Sequence, residues 1–265
     1  MKSADLSAGD IAAQVMGRFW KGIFFYESVD STNDLAVTLS EEEELASGTV
    51  IISDEQVKGR GRLGRTWISP PGTNIYMSVV LRPEIPPRNG TLLTVAAALA
   101  CARALRAKSG LKVSIKWPND LTVSGRKIGG ILTEVRCAPE TINLAIIGIG
   151  INVNIQAGDF PDKIRTIATS MRAETGAYHQ RSDVIIMILK EFEHWYKALR
   201  GKGRPVLLEE WKRLSSAIGR DVRVVAGGET FSGVAEDIDD EGILILRLPS
   251  GVLKRVSAGD LTVLR

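Results

Sequence analysis

Residues 59–64 have the sequence Gly-Arg-Gly-Arg-Leu-Gly and follow a predicted strand at residues 50–53. They satisfy G-x-G-x-x-G, the pattern of a dinucleotide-binding turn, which must also open a helix whose N-terminus receives a pyrophosphate. The next eight residues, Arg-Thr-Trp-Ile-Ser-Pro-Pro-Gly, contain two prolines and a glycine and argue against a helix. The segment therefore decides against a doubly wound dinucleotide-binding fold and predicts a glycine-hinged loop that carries arginines.

The overall composition is that of a globular protein. The chain has 265 residues, of which 44% are hydrophobic and 25% charged, so it can bury a core without disulfides or a metal. Lys and Arg total 34 and Asp and Glu total 31, which gives a net charge of +3. This weak excess excludes a protein that is basic throughout for nucleic-acid binding. It permits a local anion site, because residues 58–65 carry four cations and no acid: Lys58, Arg60, Arg62 and Arg65.

Cysteines, histidines and apolar runs exclude other classes. Cys101 and Cys137 share no CxxC spacing, which predicts free thiols in a reducing compartment. His179 and His194 form no HExxH and lie near no zinc-ligand pattern, so metal ligands stay unassigned. The N-terminus has no secretory signal, and the most apolar helical stretch, 92–102, is about half of the roughly 20 residues that cross a bilayer. We expect a cytoplasmic, soluble protein with no membrane partner.

The predicted elements indicate an α+β domain over residues 1–217, in which a mixed sheet is flanked by helices. Apolar spacing and turn residues predict helices at 8–20, 31–40, 91–108, 182–199 and 206–214, and strands at 23–29, 50–53, 75–81, 113–116, 121–123, 128–135 and 142–153. Gly148 and Gly150 interrupt the last of these strands and are typical of a bulge.

The sequence texture changes after Gly219. Short alternating strands follow, separated by Gly, Asp and Ser turns, at residues 222–225, 231–238, 243–248, 252–256 and 261–264. This tail predicts a second domain over residues 218–265, a small β-barrel.

The glycine-hinged loop of residues 58–65, called the arginine loop below, suits two kinds of ligand. Glycines permit close backbone approach to a ligand, and guanidinium groups bind phosphate oxygens through charge-assisted bidentate bonds. Trp67 follows the loop and is able to stack on a flat heterocycle. A small nucleotide and a single-stranded RNA both fit arginines next to an aromatic side chain.

The loop belongs to a series of motifs that occur in order along the chain. They are Asp30-Ser31-Thr32-Asn33, Gln56 with Lys58-Gly59-Arg60-Gly61-Arg62 and Trp67, Lys116-Trp117-Pro118-Asn119-Asp120-Leu121, the segment 126–134 (Arg-Lys-Ile-Gly-Gly-Ile-Leu-Thr-Glu), Gly148-Ile149-Gly150-Ile151-Asn152, and, more weakly, Ala168-Thr169-Ser170. In this order and spacing they closely resemble the biotin–protein ligases, from about Phe25 to the C-terminus.

The resemblance implies a fold and an activity. The fold is a mixed sheet flanked by helices, similar to class II aminoacyl-tRNA synthetases, followed by a small SH3-like barrel. The activity joins biotin to ATP to make biotinyl-5′-adenylate and pyrophosphate. Biotin then passes to one lysine of a biotin carboxyl carrier protein, as in acetyl-CoA carboxylase. Mg²⁺ is expected to accompany ATP.

The resemblance also assigns residues. The implied catalytic residues are Arg62, Asp120 and Lys127. The implied biotin contacts are Ser31, Thr32, Asn33, Gln56, Gly59, Arg60, Gly61, Lys127, Gly129 and Gly130. The implied ATP and adenylate contacts are Arg60, Arg62, Trp67, Asn119, Lys127 and Asn152.

Some points stay open. A lipoate or octanoate ligase shares the fold, and a non-catalytic adenylate- or RNA-binding module is a third interpretation. Only about 22 residues precede the first matching strand, too few for the N-terminal DNA-binding domain of bifunctional family members. We therefore expect a monofunctional ligase that binds no DNA. The family includes monomers and dimers, so a homodimer is possible.

Overall fold

The computed structural model describes residues 5–42 and 45–264. The predicted domains extend to residues 1 and 265, which lie outside this described part together with residues 2–4, 43 and 44. The first seven strands are β1 (Gly22–Val29), β2 (Thr49–Gln56), β3 (Ile75–Leu81), β4 (Ser114–Lys116), β5 (Asp120–Val123), β6 (Arg126–Cys137) and β7 (Ile142–Ile151).

These strands form one mixed sheet in the order β1-β2-β3-β7-β6-β5-β4. β1 and β2 are parallel, and the other neighbouring pairs are antiparallel. Every residue of β3 is buried, as expected of a central strand that is covered on both faces. The predicted mixed sheet is confirmed, and its central strands β3, β7 and β6 contribute apolar residues to the core.

Helices cover both faces of the sheet. They are α1 (Ala8–Val15), α2 (Thr32–Glu42), α3 (Thr91–Ser109), α4 (Asp162–Arg165), α5 (Met171–Thr175), α6 (Arg181–Arg200) and α7 (Arg204–Leu214). On one face α3 and α6 pack into the main core, and on the other face α2 packs Ala36 against Ile51 and Ile146. α2 begins where predicted, because the Ser31 hydroxyl accepts a hydrogen bond from the Asp34 amide at 3.4 Å.

The long helix α3 differs from expectation in one respect. Together with the turn before it, the segment Pro87–Ser109 is long and apolar enough, by length and composition, to cross a membrane. The expectation that no apolar run approaches that length is wrong, because the helix continues through Arg103 and Arg106. Within the protein 67% of the most apolar 18-residue stretch of this segment is buried. In addition, Thr94 hydrogen-bonds Thr133 of β6 at 2.8 Å. The hydropathy of α3 is therefore accounted for by its place in the core.

A buried arginine joins the N-terminal segment to the base of the arginine loop. Arg181, the first residue of α6, has no exposed surface and forms ion pairs with Asp5 at 2.6 Å and Asp54 at 2.7 Å. Its Nη1 also donates to the backbone carbonyl of Asn74 at 3.0 Å. Asp54 in turn accepts the Gly72 amide at 3.1 Å, so the chain that returns from the loop is held at both Gly72 and Asn74.

The C-terminal strands form a separate sheet. They are β8 (Asp221–Ala226), β9 (Glu229–Ile238), β10 (Leu244–Arg247), β11 (Leu253–Val256) and β12 (Asp260–Val263). Their order is β11-β10-β9-β8-β12, and all neighbouring pairs are antiparallel. All five strands predicted from the alternating tail are present. The boundary at residues 217 and 218 stays a prediction; it lies between the end of α7 and the start of β8.

Candidate active site

The predicted site residues converge on one cleft of about 600 Å³. Its walls come from the start of α2, the loop between β2 and β3, the β5–β6 hairpin, β7, the segment after β7, and β12. The predicted residues that line it are Ser31, Thr32, Asn33, Gln56, Arg60, Gly61, Arg62, Trp67, Asn119, Asp120, Lys127, Gly130 and Asn152. Gly59 and Gly129 are not among the described residues that line this cleft.

Two glycines of β7 form the floor of the cleft. Gly148 and Gly150 are two residues apart, so they face the same side of the sheet. The expected interruption of the strand at these glycines is wrong, because β7 pairs with β3 and β6 in unbroken register across both of them. A Cβ on Gly150 would lie 2.6 Å from Cε2 of Trp67, and one on Gly148 would overlap the side-chain oxygen of Asn33. The glycines are needed because other side chains lie directly on the strand.

A hydrogen-bonded polar group fills one end of the cleft. The Thr32 hydroxyl and amide donate to Gln56 Oε1 at 3.1 and 2.9 Å, and Gln56 Nε2 donates to the Ser69 hydroxyl at 3.1 Å. Ser78 of β3 donates to Asn33 Oδ1 at 2.6 Å and lies 2.8 Å from the Thr32 hydroxyl. The sequence analysis missed Ser78, although a lone serine between Met77 and Val79 in an otherwise apolar strand was a visible signal.

Arg60 is held by two carboxylates. Its Nη2 donates to Asp34 Oδ1 at 2.5 Å and to Glu134 Oε2 at 2.9 Å. The same Glu134 oxygen accepts Asn33 Nδ2 at 2.6 Å. The sequence analysis quoted Glu134 within a motif but assigned it no role.

Arg62 lies deeper in the cleft and has a neutral partner. Its Nη1 donates to Asn119 Oδ1 at 3.0 Å, and Asn119 is itself fixed because its Nδ2 donates to the Ile131 carbonyl at 2.7 Å. Burial lowers the pKa of Arg62 from its ordinary value, and Asp260 and Asp120 oppose this shift. An arginine keeps its charge despite such a shift, so the cleft contains a half-buried cation to which a bound anion would restore favourable interactions.

Lys127 and Asp120 face each other across the β5–β6 hairpin. Lys127 Nζ lies 2.6 Å from Asp120 Oδ1 and 5.4 Å from the centre of the Trp67 ring. A Cβ on Gly130 would approach Lys127 Nζ to 3.3 Å, so this glycine gives the lysine side chain room.

The backbone of Lys127 is fixed by a segment for which the sequence predicted no elements. The Lys127 amide donates to the Ile167 carbonyl at 2.7 Å, and the Thr169 amide donates to the Lys127 carbonyl at 2.8 Å. The buried Asn152 donates from Nδ2 to the same Thr169, at its carbonyl, at 3.0 Å. This segment contains the short helices α4 and α5 and folds over the cleft, where Phe160 and Ile164 line the wall.

The C-terminal sheet completes the cleft. Asp260, Leu261 and Thr262 of β12 line it, a contribution that the sequence analysis missed. Asp260 forms an ion pair with Arg65, which lowers the pKa of Asp260 below its usual range. Lys58 instead forms an exposed ion pair with Asp30 at 2.7 Å. Of the four cations in residues 58–65, therefore, three line the cleft and Lys58 does not.

We predict that Gly150→Ala destabilises the protein. The new methyl group must displace Trp67 from β7, and overpacking of this kind typically costs about 1–3 kcal/mol in the free energy of unfolding. Urea unfolding measures the loss. The control is Gly158→Ala, an exposed position where a Cβ meets no atom within 4 Å. Equal unfolding free energies for the two variants would contradict the packing of Trp67 on Gly150.

Comparison with known protein families gives two matches. Residues 25–152 match the biotin/lipoate A/B protein ligase family, and residues 217–261 match the biotin protein ligase C-terminal domain. The two matched regions contain the arginine loop, the β5–β6 hairpin and most of the C-terminal sheet, which all contribute to the cleft.

Individual relatives agree with these matches. The chain is 38% identical to the bifunctional ligase/repressor BirA of Bacillus spizizenii over 94% of this chain and 75% of that protein. It is 34% identical to the biotin–[acetyl-CoA-carboxylase] ligase of Mycobacterium tuberculosis over 94% of this chain and 91% of the relative. The structure of the Aquifex aeolicus biotin protein ligase in complex with biotin and ATP superimposes with a TM-score of 0.78 at 28% identity, covering 93% and 100% of the two chains. With this fold, these motifs and these relatives, the chain belongs to the biotin protein ligases.

Proposed function

We propose that this chain activates biotin with ATP and transfers it to a lysine of a biotin carboxyl carrier protein or carrier domain. The single observation that carries the proposal is that Arg62 and Lys127 line one cleft beside Asp120, with the polar group of Thr32 and Gln56 also on its wall. The named relatives support the same substrates.

The first step brings two anions together. An oxygen of the biotin carboxylate attacks the α-phosphorus of ATP, and pyrophosphate leaves. Arg62 and Lys127 reduce the repulsion between the carboxylate and the phosphate, and they do so most strongly as charge moves in the transition state. In the described structure Lys127 is paired with Asp120 at 2.6 Å, so we infer that it exchanges this partner for the substrates.

The second step needs a neutral amine. The carrier lysine attacks the carbonyl carbon of the adenylate, and AMP leaves. Asp120, once separated from Lys127, is able to accept the proton of the lysine or to orient its amine. Asp120 has 25% of its side chain exposed, which leaves it accessible from the cleft.

The lining of the cleft also suits the polarity of biotin. Biotin is largely apolar with one polar ureido ring, and such a ligand needs an apolar pocket with a few fixed polar groups. Thr32, Asn33 and Gln56 provide fixed polar groups, and Met77 and Ile149 provide apolar wall. Trp67, packed against Gly150, is suited to pack beside the adenine.

The setting of the reaction is part of the proposal. Mg²⁺ enters with the phosphates of ATP, a mode in which it keeps several waters. Among residues 5–42 and 45–264 no three His, Cys, Asp or Glu side chains group as metal ligands, and we assign the ion none. The proposed location is the cytoplasm, without a membrane partner.

We predict that the purified chain, incubated with ATP, Mg²⁺, labelled biotin and an apo carrier domain, moves the label to one carrier lysine. Lys127→Ala should abolish adenylate formation, because the cation between carboxylate and α-phosphate is lost, whereas the exposed Lys190→Ala should retain it. Mass spectrometry of the carrier and chromatography of the adenylate measure the two steps. A parallel incubation replaces labelled biotin with labelled lipoate. Labelling from lipoate alone, or from neither acid, would contradict the proposal.

We predict a different defect for Arg62→Ala. Loss of a charge-assisted contact to the phosphate should speed release of the adenylate by about tenfold or more. Release is measured by chasing bound labelled adenylate with unlabelled adenylate. The exposed Arg220→Ala is the control for loss of an arginine elsewhere. Equal release rates in Arg62→Ala and wild type would show that Arg62 does not hold the phosphate.

We further propose that this chain has no operator-binding activity of its own. The described residues before β1 contain α1, and the amide of Ser7 donates to the Ser182 hydroxyl at 3.1 Å. The buried pair of Asp5 and Arg181 fixes the same segment to α6. These residues are used in packing onto the ligase domain.

A gel-shift assay with operator DNA of a bifunctional ligase/repressor relative tests this proposal. We expect no tight, sequence-specific shift, either with or without biotinyl-adenylate. Specific binding that depends on the adenylate would contradict the proposal.

A further inference from the structure

Glu134 of β6 joins two parts of the cleft that are far apart in sequence. Its side chain is 34% exposed, and its Oε2 accepts both Asn33 Nδ2 at 2.6 Å and Arg60 Nη2 at 2.9 Å. Asn33 belongs to α2, and Arg60 belongs to the arginine loop. One carboxylate oxygen therefore connects three segments of the cleft wall.

The first consequence concerns Asn33, which is almost fully buried. Its Oδ1 accepts the Ser78 hydroxyl at 2.6 Å, while its Nδ2 donates to Glu134 and, at 3.3 Å, to the Leu132 carbonyl. With the amide rotated by half a turn, its oxygen would face the Glu134 carboxylate and the Leu132 carbonyl, which are acceptors. Glu134 therefore helps to set which atom of the Asn33 amide faces which neighbour.

The second consequence concerns Arg60. Two carboxylates, Asp34 and Glu134, surround its one positive charge, so this group of three has a net charge of −1. Arg62, two residues further along, pairs with the neutral Asn119. A phosphate is therefore favoured beside Arg62 and disfavoured beside Arg60. The Arg60 side chain is suited to fastening the loop onto α2 and β6.

We propose that Glu134 is a positioning residue for biotin, which acts by orienting Asn33 and by fastening the loop through Arg60 before ATP takes part. This inference rests on the proposed function, because it takes Asn33 and the loop as the biotin contacts. It assigns Glu134 to biotin capture and leaves ATP binding to Arg62 and Lys127.

The test is calorimetry of biotin alone and of ATP alone with three variants. Glu134→Ala removes the acceptor and its charge, Glu134→Gln keeps an acceptor oxygen, and Glu140→Ala is a control at an exposed glutamate of the β6–β7 turn. We expect the Kd for biotin to rise about tenfold in Glu134→Ala and by less in Glu134→Gln. The Kd for ATP should stay within about twofold in both, and Glu140→Ala should match wild type.

The outcomes separate this inference from the proposed function. If wild type itself fails to bind biotin, the proposed function fails and this inference with it. If wild type binds biotin and both Glu134 variants bind it equally well, the positioning role alone is overturned. Equal weakening of biotin and ATP, together with a fall in Tm, would indicate a general structural role and also overturn it. Should Glu134→Ala not fold, the biotin Kd of Glu134→Gln decides: an increase of about threefold or more supports the role, and a smaller change rejects it.

Discussion

The cleft depends on one constraint, the absence of side chains at two positions on one face of β7. Gly148 and Gly150 leave this part of the strand bare, and Asn33 and Trp67 occupy the space that two Cβ atoms would fill. These two side chains belong to different segments of the cleft wall, α2 and the chain that follows the arginine loop. Because both lie on the same strand, the polar group at α2 and the aromatic surface of Trp67 are held at a fixed separation.

Three cations of the cleft have carboxylate partners. Lys127 has Asp120 as its partner, Arg65 has Asp260, and Arg60 has two carboxylates. Arg62 is half-buried and donates to the neutral Asn119. This hydrogen-bond partner carries no negative charge to balance the guanidinium. In the proposed function the phosphate pairs with Arg62 and competes with Asp120 for Lys127. The phosphate and the carrier lysine are thereby assigned different partners within the same small volume.

Local patterns in the sequence were enough for most elements, whereas most residues of the cleft were assigned through the resemblance to a known family. The predicted strand at 75–81 and the helix at 91–108 agree with β3 and α3 to within one residue, because a buried strand and a long apolar helix have strong local signals. Glu134 and Asp260 received no role, because their partners Asn33 and Arg65 lie 101 and 195 residues away. No local pattern encodes pairings of that range.

The glycines of the arginine loop show why a motif must be interpreted through its surroundings. Gly59 is required by crowding, because a Cβ there would lie 2.7 Å from the Ser69 hydroxyl and 3.1 Å from Gln56 Nε2. Gly64 is favoured for the opposite reason, since it has open space around it but a φ of +71° that L residues rarely adopt. A dinucleotide-binding turn also spaces glycines in this way, yet there they serve a helix N-terminus. Here they place a returning loop whose arginines point to different partners, so the residues between the glycines, and not the glycines, determine what the loop binds.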